Sequence, residues 1–189
     1  MIPKIHVVGI AGSLRSGSYN KSALKAAAKL LPEGMTLEIA CIHDIPLYNG
    51  DVETEGLPET VLNLISTLSK ADALLIATPE YNASIPGVLK NTLDWISRAP
   101  NPSPVSGKPL AILGASPGML GTVRSQYHLR QVAVSLNMHV LNRPEVFIGS
   151  AHTKFDEAGE LTDDGTKKVI VAQLIALQDL VLQLKGSAK

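Results

Sequence analysis

Residues 5–22, IHVVGIAGSLRSGSYNKS, decide the fold of this chain. An apolar, β-branched run ends at Gly12, a loop of small polar residues follows, and an alanine-rich helical segment begins at about Ser22. This order predicts a strand, a loop and a helix N-terminus. Such a turn directs unpaired backbone N–H groups and the positive end of the helix dipole at one place, which favours a phosphate or another anion.

The side chains of this loop add further donors. Ser13, Ser16 and Ser18 supply hydroxyl groups, Asn20 supplies an amide, and Arg15 supplies a planar fork that suits two phosphate oxygens. The alternative is a polar turn that binds nothing, but such a turn needs no arginine among small donors. The loop therefore predicts an anion site.

The spacing of the glycines narrows the kind of anion. Gly12 and Gly17 have the gap of a Walker A loop, but Ser18 and Tyr19 follow where lysine and Ser/Thr are required. Glycines at 9, 12 and 17 also do not match the G-x-G-x-x-G pattern of dinucleotide sites. A terminal phosphate monoester is the better candidate.

Composition excludes several classes of partner. The chain has 189 residues, of which 45% are hydrophobic, and we expect one domain over residues 1–189. Seventeen basic and seventeen acidic residues cancel without charge runs, which argues against nucleic acid or an anionic membrane as partner. No leader or long apolar run is evident, so we expect a cytoplasmic protein without membrane insertion. Cys41 lies in an apolar stretch, which predicts a buried, unreactive thiol.

Apolar segments with the spacing of strands and of helices alternate along the chain. Strands are predicted at 5–11, 36–42, 71–78, 108–116 and 140–148, and helices at 22–31, 57–70, 86–98, 122–137 and from 163. This alternation predicts an α/β fold, a flavodoxin-like doubly wound three-layer sandwich with a five-stranded parallel sheet in the order 2-1-3-4-5.

Three loops rich in polar residues, glycine and proline follow the first, third and fourth strands. They cover residues 12–20, 79–86 and 116–121. Ligands of such sheets bind outside the carboxyl ends of the strands, at the point where the winding reverses. We therefore expect the three loops to form one site.

One phosphate pocket beside two loops with backbone donors suits a flat polar heterocycle with a phosphorylated tail, a description that FMN meets. Glu80, Tyr81 and Asn82 can offer donors to its ring, and Ser116 and Gly118 precede a helix N-terminus that can stabilise charge on the reduced ring. The alternative for residues 78–82 is a strand terminator with ordinary turn chemistry.

Three segments carry a resemblance to a known family. They are GSLRSGSYN at 12–20, PEYNASIPGVLKN at 79–91 with Asp94 and Trp95 after it, and RSQYHLRQ at 124–131. Through them the sequence resembles the NAD(P)H-dependent FMN reductases of flavodoxin-like fold, above all the bacterial quinone and chromate reductases. The resemblance covers nearly the whole chain.

The resemblance implies the cofactor, the reaction and the site. It implies FMN as the bound cofactor and NADPH or NADH as the transient electron donor. Hydride would pass in ping-pong fashion to quinones, and chromate, azo compounds and free flavin are further acceptors. The cofactor-binding residues that it implies are Ser13, Arg15, Ser18, Asn20, Glu80, Tyr81, Asn82, Ser116 and Gly118. We add their neighbours Tyr19 and Pro79 to this predicted set. It also implies a homodimer or homotetramer, with Arg124, Tyr127 and Glu145 at the contact between dimers.

No residue is predicted to act as a catalytic nucleophile or metal ligand, since the five histidines lack metal-ligand spacing. Trp95 and Ile96 are expected either in the core or at a subunit interface. Two other functions stay open at this point. A flavodoxin-type carrier would bind FMN without turnover of its own, although flavodoxins are usually acidic, and an interaction module would bind no flavin.

Overall fold

The computed structural model describes residues 3–100 and 102–187 and shows one parallel sheet covered by helices on both faces. The strands are β1 (Ile5–Ala11), β2 (Met35–Ala40), β3 (Ala73–Ala77), β4 (Pro109–Ala115), β5 (His139–Val140) and β6 (Val146–Ile148). The helices are α1 (Tyr19–Lys29), α2 (Gly50–Glu55), α3 (Glu59–Ser69), α4 (Gly87–Ile96), α5 (Val123–Ser135) and α6 (Asp164–Ser187). The strand order β2-β1-β3-β4-β5 confirms the predicted topology and fold class.

The central strands β3 and β4 are buried over their whole length because helices cover both of their faces. Successive side chains point to opposite faces. Leu75 and Ala77 pack in the cluster that includes residues of α1 and α6, whereas Leu74 and Ile76 pack in the cluster that includes residues of α3, α4 and α5. Helices therefore cover both faces of the sheet up to the ends of β3 and β4.

The predicted fifth strand is two short strands, so the prediction of one strand over 140–148 was wrong. Both β5 and β6 pair with β4, at residues 109–110 and 113–115. Pro144 lies between them, and proline cannot donate to a strand ladder. The Gln173 side chain of α6 fills the gap, because its Nε2 donates to the carbonyl oxygens of Ile112, at 2.9 Å, and Pro144, at 3.0 Å.

Two further predictions need correction. Cys41 is exposed rather than buried, because β2 ends at Ala40 and the thiol lies beyond the ladder, at the edge of the sheet. Residues 50–55 form the helix α2, which was not predicted although Asn49 caps it by accepting from the N–H of Asp51 at 2.9 Å.

Trp95 belongs to the core, and an interface role for Trp95 and Ile96 is wrong, since both are fully buried within the chain. The indole Nε1 of Trp95 donates to the carbonyl oxygen of Pro46 at 2.8 Å. Its ring also meets that of Tyr48 edge to face, with centroids 5.0 Å apart. Trp95 therefore fixes the loop before α2 against α4.

By length and composition, residues 164–186 of α6 could cross a membrane, and no other described helix could. One such helix is weak evidence, because core helices pass the same test. Ile170, Leu174, Leu177 and Val181 are buried in the core cluster that includes α1 residues. In this fold α6 uses its apolar face to cover the sheet.

Candidate functional site

The three predicted loops come together at one edge of the sheet, where β1, β3 and β4 end. A cleft opens between them. Its lining comprises Ser13, Arg15, Ser18, Tyr19, Asn20, Pro79, Glu80, Tyr81, Ala115, Ser116 and Pro117. Of the residues proposed from the sequence, only Asn82 and Gly118 lie outside this lining, so the chain brings nearly the whole set together.

The first loop is a cradle of free backbone donors. Within the described chain, the N–H groups of residues 13–19 have no hydrogen-bond acceptor. Ser18 caps α1, since its Oγ accepts from the N–H of Asn20 at 3.3 Å. The Arg15 side chain is exposed and has no hydrogen-bond or ion-pair partner among the described residues. An anion is the ligand that these groups can satisfy together.

Asn20 has a different partner from the one predicted. Its Nδ2 donates to the carbonyl oxygen of Ala115 at 2.9 Å, and its Oδ1 accepts from the Ala115 N–H at 2.9 Å. The side chain is buried, and both of its polar groups are used. The amide is therefore engaged within the chain, and a contact between Asn20 and a phosphate stays a prediction. Asn20 fastens the start of α1 to the end of β4.

The second loop closes in a tight turn. Tyr81 and Ser84 exchange both backbone hydrogen bonds at 3.0 Å, and Asn82 and Ala83 between them have φ of 49° and 62°. Two residues of positive φ in this position form the turn that suits a right-handed strand twist. The N–H groups of Asn82 and Ala83 have no acceptor in the described residues. Neither takes part in the turn's own hydrogen bonds, so both are available to a ligand.

The Glu80 side chain binds the first turn of α5, although Glu80 also lines the cleft. Its carboxylate accepts from the N–H of Arg124 at 3.0 Å and of Ser125 at 3.3 Å, and it forms an ion pair with the Arg124 guanidinium. The Glu80 side chain is only 8% exposed. Because Thr122 makes no side-chain cap, Glu80 supplies the cap of α5 from another loop. The positive end of α5 is thus already paired with Glu80, and the stabilisation of charge on a bound ring by this helix stays a prediction.

We expect the Glu80→Gln substitution to loosen the first turn of α5. Losing the charged cap costs about 1–2 kcal/mol, so exchange of the Arg124 and Ser125 amide hydrogens should accelerate roughly tenfold. Hydrogen-exchange mass spectrometry or NMR measures this rate. The control is Asp94→Asn, which removes an exposed pair with Lys90 at 2.6 Å and should leave these amides unchanged. Equal protection in Glu80→Gln and the parent protein would contradict the assignment.

The third loop is fixed by its own chain and by the segment after β6. Ser116 Oγ accepts from the N–H of Gly118 at 3.0 Å, so this N–H is not free for a ligand. The N–H of Ser116 donates to Ile148 and that of Ala151 to Ser116, each at 3.0 Å. These bonds hold the third loop against the sheet, and Ser116 faces the cleft.

Sequence reasoning missed the residues that join the loops to each other. The hydroxyl groups of Thr78 and Ser125 are buried and lie 2.9 Å apart. A side chain at Gly114 would collide with Thr122, and one at Gly149 with the carbonyl oxygen of Met119. No local sequence signal identifies them, because Thr78 and Ser125 are 47 residues apart and Gly149 and Met119 are 30 residues apart in the chain.

The donor set fits a ligand with one terminal phosphate and a flat polar ring. Free N–H groups and the unpaired Arg15 suit the phosphate, while the free N–H groups of Asn82 and Ala83 suit the acceptor edge of a ring. The described residues contain no cluster of metal-ligating side chains. Fold and site together define a mononucleotide-binding protein of the doubly wound α/β class.

Comparison with known proteins leads to the family. Residues 5–153 match the family model described as NADPH-dependent FMN reductase. The chain is 55% identical to an NAD(P)H-dependent FMN reductase of Pseudomonas aeruginosa over 186 residues, which are 98% of this chain and all of that protein. It is 43% identical to a quinone reductase of Escherichia coli over 188 residues, which again are 98% of this chain and the whole relative.

A solved structure of a flavoenzyme is similar to this chain in both fold and sequence. The flavoenzyme NAD(P)H:(acceptor) oxidoreductase FerB of Paracoccus denitrificans superposes with a TM-score of 0.86 at 32% identity, covering 95% of this chain and 98% of the other. The chain therefore belongs to the NADPH-dependent FMN reductase family, which confirms the resemblance drawn from its three segments.

Proposed function

We propose that this protein is an FMN-dependent NAD(P)H:quinone oxidoreductase. The observation that carries the proposal is the cradle at residues 13–19, with its unpaired N–H groups and free Arg15, beside the donor turn at 81–84. Relatives named FMN reductase and quinone reductase match over nearly the full chain and support it.

Each loop has a stated task in this proposal. The N–H groups of residues 13–19, with Ser13, Ser18 and Arg15, hold the FMN phosphate. Asn82 and Ala83 donate to the ring, while Pro79, Tyr81 and Ser116 line it. Asn20 and Glu80 position the loops through Ala115 and α5. When bound, FMN supplies the two-electron chemistry, so the protein needs no nucleophile of its own.

An apolar, flat acceptor suits the rim of this cleft. Tyr81 in the second loop and Met119 and Leu120 in the third are largely exposed apolar side chains. Exposed apolar groups beside a polar pocket are typical of binding surfaces. They favour a quinone over a small oxyanion such as chromate as the preferred acceptor.

Steady-state assays test the function directly. The purified protein with FMN should oxidise NADPH or NADH in the presence of a benzoquinone, with parallel double-reciprocal lines as the quinone concentration is varied. Stopped-flow mixing with NADPH alone should bleach the flavin absorbance. Protein that binds FMN but is not reduced by either nucleotide would be a carrier instead, and protein that binds no FMN would exclude both functions.

The Arg15→Ala substitution tests the phosphate cradle. Loss of a charged, bidentate contact should weaken FMN binding by about 1.5–3 kcal/mol, which is roughly 10- to 150-fold in Kd. Quenching of FMN fluorescence by apoprotein measures the constant. Arg143 is the matched control, since it is exposed and also lacks a partner within the described chain, and Arg143→Ala should leave Kd unchanged. Equal affinities for Arg15→Ala and the parent would refute the assignment.

We also infer that the protein is cytoplasmic and self-associates. Tyr127 and Val134 form an exposed apolar face on α5, and covering such a face favours a dimer or tetramer. Arg124 and Glu145, proposed with Tyr127 as a contact between dimers, already have partners in the chain, in Glu80 and Arg130. Light scattering of the parent and of Tyr127→Glu tests this, and a monomeric parent would overturn it.

A further inference from the structure

A second cavity lies beside the phosphate cradle, at the carboxyl ends of β1 and β2. It has a volume of about 230 Å³ and shares only Ser13 with the cleft described above. Leu14, Ile39 and Ile42 give it an apolar wall. None of the roles proposed for FMN uses this cavity.

Basic side chains also line the cavity. Lys21 and Lys25 are one turn apart on α1, and His43 lines the cavity with them. Lys21 donates to the carbonyl oxygen of Leu14 at 3.0 Å, whereas Lys25 has no partner in the described residues. None of the ten lining residues is acidic. A cavity lined by apolar side chains and by two ammonium groups suits a flat group that carries an anion.

Two carboxylates, Glu38 of β2 and Asp44 shortly after it, are paired with histidines, and one of these histidines, His43, lines the cavity. Glu38 lies 3.3 Å from His6, and Asp44 lies 2.8 Å from His43, and neither lines the cavity. In the dinucleotide-binding members of this fold class, an acid about 20 residues after the glycine-rich turn accepts from a free ribose 2′-hydroxyl, whereas an arginine nearby receives a 2′-phosphate. This chain lacks the glycine pattern of those members, and the basic groups that its cavity offers to an anion are Lys21 and Lys25 of α1.

We propose that this cavity binds the 2′-phosphoadenosine end of NADPH, with Lys21 and Lys25 at the 2′-phosphate and Leu14, Ile39 and Ile42 against the adenine. The inference rests on the proposed function, because it presupposes a nicotinamide donor. It goes further because it places the adenosine end of NADPH away from the flavin. It also predicts that the protein prefers NADPH to NADH.

Cys41 offers a direct readout, because it lines this cavity, is exposed and is the chain's single cysteine. The experiment measures its alkylation by iodoacetamide, an uncharged reagent, in protein loaded with FMN. The probes are adenosine 2′,5′-bisphosphate and its isomer ADP, which lacks the 2′-phosphate. At four times its Kd, the first probe should leave about one-fifth of the thiol free and slow alkylation roughly fivefold. ADP at the same concentration should have little effect.

Substitutions of the two lysines test whether they bind the probe that protects Cys41. Lys21→Ala and Lys25→Ala should each raise the half-protecting concentration of adenosine 2′,5′-bisphosphate about tenfold, through loss of a charge-assisted contact. Lys29→Ala is the control, since Lys29 belongs to the same helix but pairs with Glu160 at 2.5 Å, outside the cavity. Its protection curve should match that of the parent. Equal protection by the two isomers, or none with either, would overturn the proposal.

Kinetics separate this inference from the proposed function. Lys25→Ala should raise KM for NADPH about tenfold and leave KM for NADH and kcat unchanged. If NADH and NADPH reduce the flavin with equal KM in the parent and in Lys25→Ala, the cavity assignment fails and the oxidoreductase assignment stands. If neither nucleotide reduces the flavin, the oxidoreductase assignment fails, while the footprint of Cys41 still reports on the cavity.

Discussion

The Gly114→Ala substitution is expected to lower the free energy of unfolding by about 3 kcal/mol, at the upper end of the usual cost of overpacking. A methyl group at this position of β4 would collide with the Thr122 hydroxyl and lie 2.5 Å from the carbonyl oxygen of Thr78. Both neighbours are buried, and the Thr78 oxygen is backbone that cannot rotate away. Urea denaturation of the apoprotein measures the loss, which corresponds to a fall in Tm of roughly 6–12 °C.

Gly87→Ala is the control for this substitution. A methyl group there meets no atom within 4 Å, and the residue begins α4. Alanine favours a helix over glycine, so this variant should be as stable as the parent or slightly more stable. A Gly114→Ala protein with parent-like stability would show that β4 and the start of α5 are not packed as described.

The second large effect is expected for Asn20→Ala. The substitution leaves the N–H and carbonyl oxygen of Ala115 unpaired in a buried strand, which should cost about 2–4 kcal/mol of unfolding free energy. The start of α1 is also released, so FMN affinity should fall together with stability. Urea denaturation and FMN fluorescence titration of the same sample measure the two effects.

Asn91 provides a matched control because it forms the same kind of clamp elsewhere. Its side chain accepts from the N–H of Tyr48 at 2.7 Å and donates to the carbonyl oxygen of Pro46 at 2.8 Å, in a less buried setting. Asn91→Ala should cost about 1 kcal/mol and leave FMN affinity unchanged. If Asn20→Ala loses FMN affinity without losing stability, Asn20 is a ligand and the clamp is wrong.

Local patterns predicted the loops because their chemistry is local. A β-branched run followed by glycine, serine and arginine specifies a strand and an open helix N-terminus, whatever the rest of the chain does. Continuous apolar runs at 73–77 and 109–115 likewise specify strands covered on both faces. The order of the strands then placed the loops at one edge.

The roles of individual polar side chains were not predictable in this way. Glu80 and Asn20 were both expected to contact the ligand, but each binds backbone from a segment at least 44 residues away in sequence. The residue type alone does not show which distant backbone group a carboxylate or an amide side chain will bind. The exposure of Cys41 was missed for the same reason, since a neighbouring apolar composition does not fix which side chains face the core.

The sequence by itself determined a doubly wound sheet with an anion-binding turn after its first strand, because hydrophobic periodicity and turn chemistry act between near neighbours. Only the tertiary structure decided that Glu80 caps α5, that Asn20 joins α1 to β4, and that Lys21 and Lys25 line a second cavity together with apolar side chains. These arrangements depend on which distant segments the packed sheet brings within hydrogen-bonding distance.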